Sequence, residues 1–253
     1  MNVTIKNTSI FKDAISAISE LIDEGKLRFD KDGLNIKETD PTMISMVDFH
    51  FAKGNFSQYD IEEDQEIAIS ISQLNQVLRR LNADNKLQME YIKEKNMINL
   101  IILGGANVKK FSIPVLELET KKIPDINLNF ETVVEMNKKI LSEVILDASV
   151  VGETLSFVAD KDKLTFFCQD DMNRVEMDMD KKNEDIYSFS FTSPLDKLKS
   201  KYSLEYLKKM EKGGKLSEIV KLEFGNDYPM KMTFADKDKN VSISYVLAPR
   251  VED

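Results

Sequence analysis

Residues 8–22, TSIFKDAISAISELI, place Phe11, Ile15, Ile18 and Ile22 on one stripe and Lys12, Asp13, Ser16, Ser19 and Glu20 on the other. That is the helical period, with Thr8 or Ser9 expected as the N-cap. A second helix is expected over 72–82, on Leu74, Val77, Leu78 and Leu81. The same two patterns return at 137–148, with Ile140, Leu141, Val144, Ile145 and Ala148, and at about 203–212, with Leu204, Leu207 and Met210. Most of the remainder alternates. Val47, Phe49 and Phe51 stand against Asp48 and His50; Val175, Met177 and Met179 stand against Arg174, Glu176, Asp178 and Asp180; VSISYVL at 241–247 offers Val241, Ile243, Tyr245 and Leu247. A period of two marks strands with one face packed and one wet, the habit of antiparallel sheets.

The chain also repeats itself. DKDGLNI at 30–36 returns as DKDKLTF at 160–166, and LRRLNADNKL at 78–87 aligns with LKKMEKGGKL at 207–216. Two matches at nearly one offset indicate a duplication with half-repeats of about 130 residues, too long for a solenoid. The fold expected is α+β, with two similar domains of antiparallel strands carrying two helices each. The N-terminal domain is placed at 1–116 and the C-terminal domain at 132–253. The segment between them, ELETKKIPDINLNFE at 117–131, contains Pro124 and reads as a connecting loop. The DKDG and DKDK stretches, with a third DKDK at 236–239, fall between alternating runs where tight hairpin turns belong.

A chain of 253 residues holds two ordinary domains. With 44 acidic and 35 basic residues the net charge is −9, which makes no case for nucleic acid in total but permits a local basic surface. The single cysteine, Cys168, excludes an intrachain disulfide and fits a reducing compartment. No segment is apolar over the roughly 18 residues that span a bilayer, so a soluble intracellular protein is expected. The acidic pairs Asp30/Asp32, Asp160/Asp162, Asp170/Asp171 and Asp236/Asp238 raise a metal-dependent nuclease. DKDGLNI fails the EF-hand spacing, however, with Gly at its fourth place and Leu at its fifth. Recurrence at successive hairpins favours solvated turn residues. His50, the one histidine, reads as a surface residue and Cys168 as core; together they are too few for a usual zinc site. Neither LGGANVKK at 103–110 nor EKGGK at 211–215 has phosphate-loop spacing. No catalytic site, metal site or cofactor is expected.

The basic residues are unevenly placed. Arg79 and Arg80 match Lys208 and Lys209 position for position, Lys86 matches Lys215, and Lys212 and Lys215 extend the second cluster. Lys138 and Lys139 stand at the start of another helix, and Lys12 lies on the first. Cations kept on one helix of both repeats suit a surface facing a polyanion, through phosphate contacts that ignore base sequence and weaken with salt.

The tail YVLAPRVED, the preceding FGNDYPMKMTF, the segment KETDPTMISMVDF and the central IPVLELE and IPDI together resemble the proliferating cell nuclear antigen family of DNA sliding clamps, archaeal members above all. The resemblance runs the length of the chain. It implies a non-enzymatic processivity factor: three subunits joined head to tail in a pseudo-sixfold ring around duplex DNA, helices inside and sheets outside. DNA would then meet Lys12, Arg79, Arg80, Lys138, Lys139, Lys208, Lys209, Lys212 and Lys215. DNA polymerase, flap endonuclease, DNA ligase and the clamp loader would dock by short peptides in a pocket of Met43, Ile44, Met46, Ile123, Pro124, Pro229, Val246, Ala248 and Pro249. Met suits such an adaptable groove. Subunits would join through strands at about 108–118 and 171–180. Lys109 and Lys110 would approach Asp178 and Asp180, and Glu117 or Glu119 would approach Arg174. Phe111, Ile113, Val115 and Glu176 complete the strands, and Glu143 and Asp147 face a neighbour's Arg80 or Lys109. The family works on chromosomal DNA, in the cytoplasm of archaea or the nucleus of eukaryotes.

Two other readings stand beside the homotrimer: one subunit of a heterotrimeric clamp, and a nuclease built on the acidic turns. Substituting Asp30→Asn with Asp160→Asn separates clamp from nuclease. A clamp keeps its retention on circular DNA, whereas a nuclease loses its metal-dependent cleavage.

Overall fold

The computed structural model describes residues 1–82, 84–104, 107–118 and 127–250. It divides into two units, Met1–Pro41 with Val47–Ile123 and Asp236–Ile243, and Thr42–Met46 with Pro124–Ala235 and Ser244–Asp253. In chain order the first half carries β1 (Asn2–Ile5), α1 (Thr8–Ile18), β2 (Glu24–Asp30), β3 (Gly33–Thr39), β4 (Ser45–Ala52), β5 (Phe56–Asp60), β6 (Gln65–Ser70), α2 (Ile71–Leu78), β7 (Lys86–Ile92), β8 (Met97–Leu103) and β9 (Lys109–Pro114). The second carries β10 (Thr132–Asn137), α3 (Lys138–Val151), β11 (Thr154–Asp160), β12 (Lys163–Gln169), β13 (Arg174–Asp180), β14 (Ile186–Phe191), β15 (Lys197–Ser203), α4 (Leu204–Glu211), β16 (Ile219–Phe224), β17 (Met230–Ala235) and β18 (Val241–Leu247).

The duplication read from the sequence is a duplication of topology. In the first unit the strands run β5-β1-β7-β8-β9 and β4-β3-β2-β6; in the second they run β14-β10-β16-β17-β18 and β13-β12-β11-β15. Register repeats as well. Val3 of β1 faces Tyr59 and Met89, and Val134 of β10 faces Phe189 and Leu222. The recurring DKD is a turn in which the leading aspartate replaces a backbone acceptor. Asp30 Oδ1 accepts from the N–H groups of Asp32 and Gly33 at 2.8 and 3.1 Å, and Asp160 Oδ1 from those of Asp162 and Lys163 at 2.8 and 3.0 Å. Gly33 is required where it stands: its φ is +147°, and a Cβ would lie 2.3 Å from Phe51 O.

Helix ends differ from the expectation. α1 is capped by Asn7, whose side chain accepts from the Ile10 N–H, not by Thr8 or Ser9. Asn is a stronger cap than Thr, and the Thr8 hydroxyl instead donates to Asn85 O at 3.1 Å. α1 stops at Ile18 although the apolar stripe continues, because Ser19 Oγ turns back to Ser16 O (2.9 Å) and Leu21 and Ile22 are buried from the following turn. The helix expected over 72–82 starts at Ile71 and ends at Leu78, while that expected over 137–148 runs on to Val151. Of the connecting segment, 119–126 lies outside the described residues; 117–118 and 127–130 form no regular element.

Each core is built round aromatic rings. In the first unit Phe51 meets Phe11 and Phe56 at 5.5 and 5.3 Å, and Tyr59 donates to the carbonyls of Asp30 and Gly33. Burial, the larger cause, together with the Asp30 carboxylate lifts the Tyr59 phenol above its ordinary range. In the second unit Phe157 touches Phe166, Tyr202 and Phe224 with centroids 5.0, 5.4 and 5.9 Å away. Cys168 is 2% exposed and belongs to this core, as expected. His50 is half-buried rather than on the open surface, its Nδ1 2.8 Å from Asn35 Oδ1. Phe157→Ala is expected to cost about 3–5 kcal/mol. Urea unfolding followed by circular dichroism checks this: the transition of the second unit moves to lower urea, and an unmoved midpoint would show that Phe157 is not the centre of that core.

Candidate functional site

The basic residues are set by paired helices. In the first unit α2 lies beside α1, with Asn75 Nδ2 donating to Ser19 Oγ at 2.7 Å and Lys12 Nζ reaching Leu81 O at 3.3 Å. In the second unit Ser142 Oγ meets Glu211 Oε1 at 2.5 Å, tying α3 to α4. Leu74 and Leu78 of α2, and Leu207 and Met210 of α4, are buried, so the opposite faces turn outward. Arg79, Arg80, Lys139, Lys208 and Lys212 are exposed and carry no ion pair among the described residues. Arg79 caps α2, and Lys208 and Lys209 occupy the last turn of α4, where cations also meet the partial negative charge of the helix end. Other expected positions are partly engaged. Lys138 Nζ donates to Gly214 O at 2.5 Å and pairs with Glu218 at 3.0 Å. Lys209 pairs with Glu205 at 2.8 Å, and Lys12 is held on Leu81 O. Lys215 is exposed in the short turn after α4.

Of the expected peptide pocket, Met43, Ile44, Met46, Pro229, Val246, Ala248 and Pro249 fall in the second unit. Ile123 and Pro124 lie outside the described residues. Met43 is 76% exposed with φ +57°, and Ile44 is 42% exposed. The N–H of Ala248 donates to Ile44 O at 3.0 Å, which fixes tail and loop against each other. Tyr206 was not among the residues expected, yet its hydroxyl lies 2.9 Å from Thr42 Oγ1 and anchors the same loop to α4. Sequence offers no signal for it beyond a tyrosine beside the apolar stripe of a helix. Met46, Pro229, Val246, Ala248 and Pro249 are half-buried.

The expected joining strands are both at the end of a strand order. β9 closes one row of the first unit and β13 one row of the second. Lys109 and Lys110 are exposed, Phe111 is half-buried and Ile113 is buried. Val115 bonds to Asn96 through its N–H at 2.9 Å, and Glu117 is exposed. On β13, Arg174 pairs with Glu176 and stacks 5.3 Å from the Phe167 ring. Asp178 accepts from Thr165 at 2.5 Å and from Lys163 at 3.0 Å, while Asp180 is exposed. The Thr165 hydroxyl first, then the Lys163 ammonium, holds the Asp178 carboxyl below its usual range. Glu143 and Asp147 lie on the exposed side of α3, and Asp147 borders a shallow apolar notch with Val144, Ala148, Leu155, Phe166, Val175 and Met177.

The acidic turns are built differently from a metal cradle. Asp30 and Asp160 accept turn N–H groups, Asp162 pairs with Lys181 at 2.9 Å, and no group of metal-binding side chains occurs among the described residues.

Comparison with known proteins gives the family. Residues 1–129 match the N-terminal domain of proliferating cell nuclear antigen, and 122–250 match its C-terminal domain. DNA polymerase sliding clamp 1 of Thermococcus kodakarensis is 30% identical over 96% of this chain and 95% of its own length. The DNA polymerase sliding clamp of Nanoarchaeum equitans is 29% identical over 99% of each chain. Among solved structures, PCNA from Thermococcus kodakaraensis superposes with a TM-score of 0.89 at 21% identity, covering 98% of this chain and 99% of that one. A PCNA2–PCNA3 complex from Sulfolobus tokodaii gives 0.87 at 23% identity over 100% of both chains. The chain belongs to the proliferating cell nuclear antigen family of DNA sliding clamps.

One consequence of the β13 geometry is measurable. Thr165→Val removes the first of the two groups that stabilise the ionised Asp178, so its pKa rises towards the ordinary carboxylate value. Carboxyl-carbon NMR titration reads the shift; an unmoved Asp178 would mean that the Thr165 bond is not made in solution.

Proposed function

We propose that the chain assembles with copies of itself into a closed ring around duplex DNA and holds replication and repair enzymes on it without doing chemistry itself. The observation that carries this is the pair of outward cationic positions, Arg79 and Arg80 after α2 and Lys208 and Lys209 on α4, repeated on matching helices of a duplicated fold whose net charge is −9. A ring need not grip. Weak phosphate contacts keep the duplex centred and still permit sliding, and the acidic remainder of the surface disfavours other contacts. Lys139, Lys212 and Lys215 extend the cationic surface; Lys12, Lys138 and Lys209 contribute less, being held within the fold by Leu81 O, Glu218 and Glu205.

The domains are taken as 1–116 and 132–253, with 117–131 connecting them. Clients would dock short apolar peptides at Met43, Ile44, Met46, Pro229, Val246, Ala248 and Pro249, with Ile123 and Pro124 of the connector. Polymerase, clamp loader, flap endonuclease and ligase are the clients the family resemblance brings. Copies would join through β9 and β13, with Glu143 and Asp147 of α3 beside them. The chain would work wherever chromosomal DNA lies, which in an archaeon is the cytoplasm. Among the described residues no helix is long and apolar enough to cross a membrane. A heterotrimer subunit is the second reading, favoured by the likeness to the PCNA2–PCNA3 complex.

Retention on nicked circular DNA tests the ring. The wild-type chain, once loaded, stays on the circle and runs off when the circle is cut. Arg79→Ala, Arg80→Ala, Lys208→Ala and Lys212→Ala together reduce loading at moderate salt and flatten its salt dependence, by a slope of roughly 0.9 for each phosphate no longer neutralised. Equal retention on circles and on linear DNA would overturn encirclement.

A further inference from the structure

Two further strands end a row, β5 in the first unit and β14 in the second. The halves treat this edge differently. Val3 faces Tyr59 of β5 and Val134 faces Phe189 of β14, so Phe189 stands where the first unit has Tyr59. The Tyr59 hydroxyl donates to Asp30 O at 2.8 Å and to Gly33 O at 2.7 Å, which fastens β5 to the DKDG turn. Phe189 has no hydroxyl with which to reach the DKDK turn. β5 also carries Asp60 and leads into Glu62, Glu63 and Asp64, charges that guard an edge against another strand. β14 reads IYSFSF and carries no charge.

Beside the end of β14 lies an open cleft of about 670 Å³, between the DKDK turn and the segment that follows the strand. Phe191, Pro194 and Leu195 form its apolar part; Leu195 is 49% exposed. Its charged lining holds four carboxylates, including Asp160 and Asp196, against the two ammonium groups of Lys161 and Lys163. Lys163 is already paired with Asp178 at 3.0 Å. Asp196 is exposed and has no ion pair among the described residues.

The pairing on the other side fixes which backbone groups of β14 face outward. The Thr192 N–H donates to Glu131 O at 2.8 Å, so Ser190 and Ser188 bond inward to β10 at Val133 and Glu135. In an antiparallel pair the alternate residues turn away, which leaves the N–H and C=O of Phe189 and Phe191 pointing out. No other described residue takes them. Their rings share the face of Thr132 and Val134 and are half-buried.

We infer that β14 takes an extended basic segment of a partner protein as an added antiparallel strand, with an arginine or lysine at the segment's N-terminal end seated in the cleft. Backbone bonds to Phe189 and Phe191 supply affinity, and alternate side chains supply selection. Antiparallel is the pairing that β14 already makes and the stabler of the two. It brings the N-terminal end of the segment to Phe191, beside the cleft. Residues opposite Phe189 and Phe191 fall on the face of those rings and are apolar; the residue between them falls on the face of Ser188 and Ser190 and is polar. The excess of carboxylates selects a cation over an anion. Docking here is separate from the joining of copies, which uses β9 and β13.

The probe is a fluorescein-labelled peptide of two arginines followed by alternating valine and threonine, titrated against the full chain and followed by anisotropy. It saturates below ~1 mM, and the backbone amide resonances of Phe189 and Phe191 move with it. N-methylation of the valines, whose N–H groups face β14, weakens binding at least ~10-fold; N-methylation of the threonines leaves it unchanged. Glutamates in place of the arginines weaken it, and Asp196→Lys narrows the gap between the two peptides several-fold. Absence of saturable binding, equal loss from both N-methylated peptides, or unaltered discrimination by Asp196→Lys would each overturn docking at β14. Shifts at Ile44 and Ala248 in place of Phe189 and Phe191 would overturn it too, by assigning the peptide to the client pocket. Amides of β14 that move with protein concentration alone would give the edge to a second copy instead. Retention of Asp196→Lys on circular DNA reads the clamp separately and is expected to match the wild-type chain.

Discussion

A β-strand at the end of a sheet leaves a row of backbone N–H and C=O groups that must be paired, covered or solvated, and the organisation of this chain follows from how it meets that demand. β15 is closed along its outer edge. Asp227 N–H donates to Lys199 O at 2.9 Å, Lys199 N–H to Asn226 Oδ1 at 3.0 Å, and Arg250 N–H to Lys201 O at 2.7 Å. β6 receives the segment after β9 in the same way, through Leu116 N–H and Ala68 O. The C-terminal tail and the segment after β9 are thus the same device used twice. In the second unit the tail goes on to fasten the loop that carries Met43 and Ile44, so the surface proposed for client peptides is built from an edge covering.

β9 and β13 end their sheets with no such covering among the described residues, as β5 and β14 also do. Their exposure would be an aggregation hazard in a monomer. Head-to-tail closure removes the hazard, because a heterologous contact that closes leaves no free edge of either kind. The charges along β13 fit that use. Arg174 with Glu176, and Asp178 with Lys163 and Thr165, are satisfied in place, so the strand presents an ordered ladder rather than loose side chains. Fixed helix pairs then set the cations: Asn75–Ser19 in the first unit and Ser142–Glu211 in the second hold α2 and α4 against the longer helices.

Much of this was legible in the sequence because it repeats. The DKD turns, the two helices per half and the alternating strands were readable from spacing, since each rests on local chemistry: an aspartate accepting turn N–H groups, or an apolar stripe. Ends of elements were less so. Asn7 displaced Thr8 as cap, because Thr8 found Asn85, distant in sequence. The tether between Tyr206 and Thr42 could not be foreseen, for no local pattern marks a hydroxyl that pairs 164 residues away. Partly satisfied lysines were likewise invisible. Lys138 looks like any helix-start cation until Gly214 O and Glu218 are found beside it. Ile123 and Pro124 were legible only through family resemblance, and they fall outside the described residues.

The most direct test of the account is the native mass in solution, by light scattering across a dilution series at moderate salt. Paired β9 and β13 edges predict a species of three times 29.0 kDa that persists as the protein is diluted. A chain that stays at 29.0 kDa over the whole series would contradict self-closure and leave those edges to a different partner.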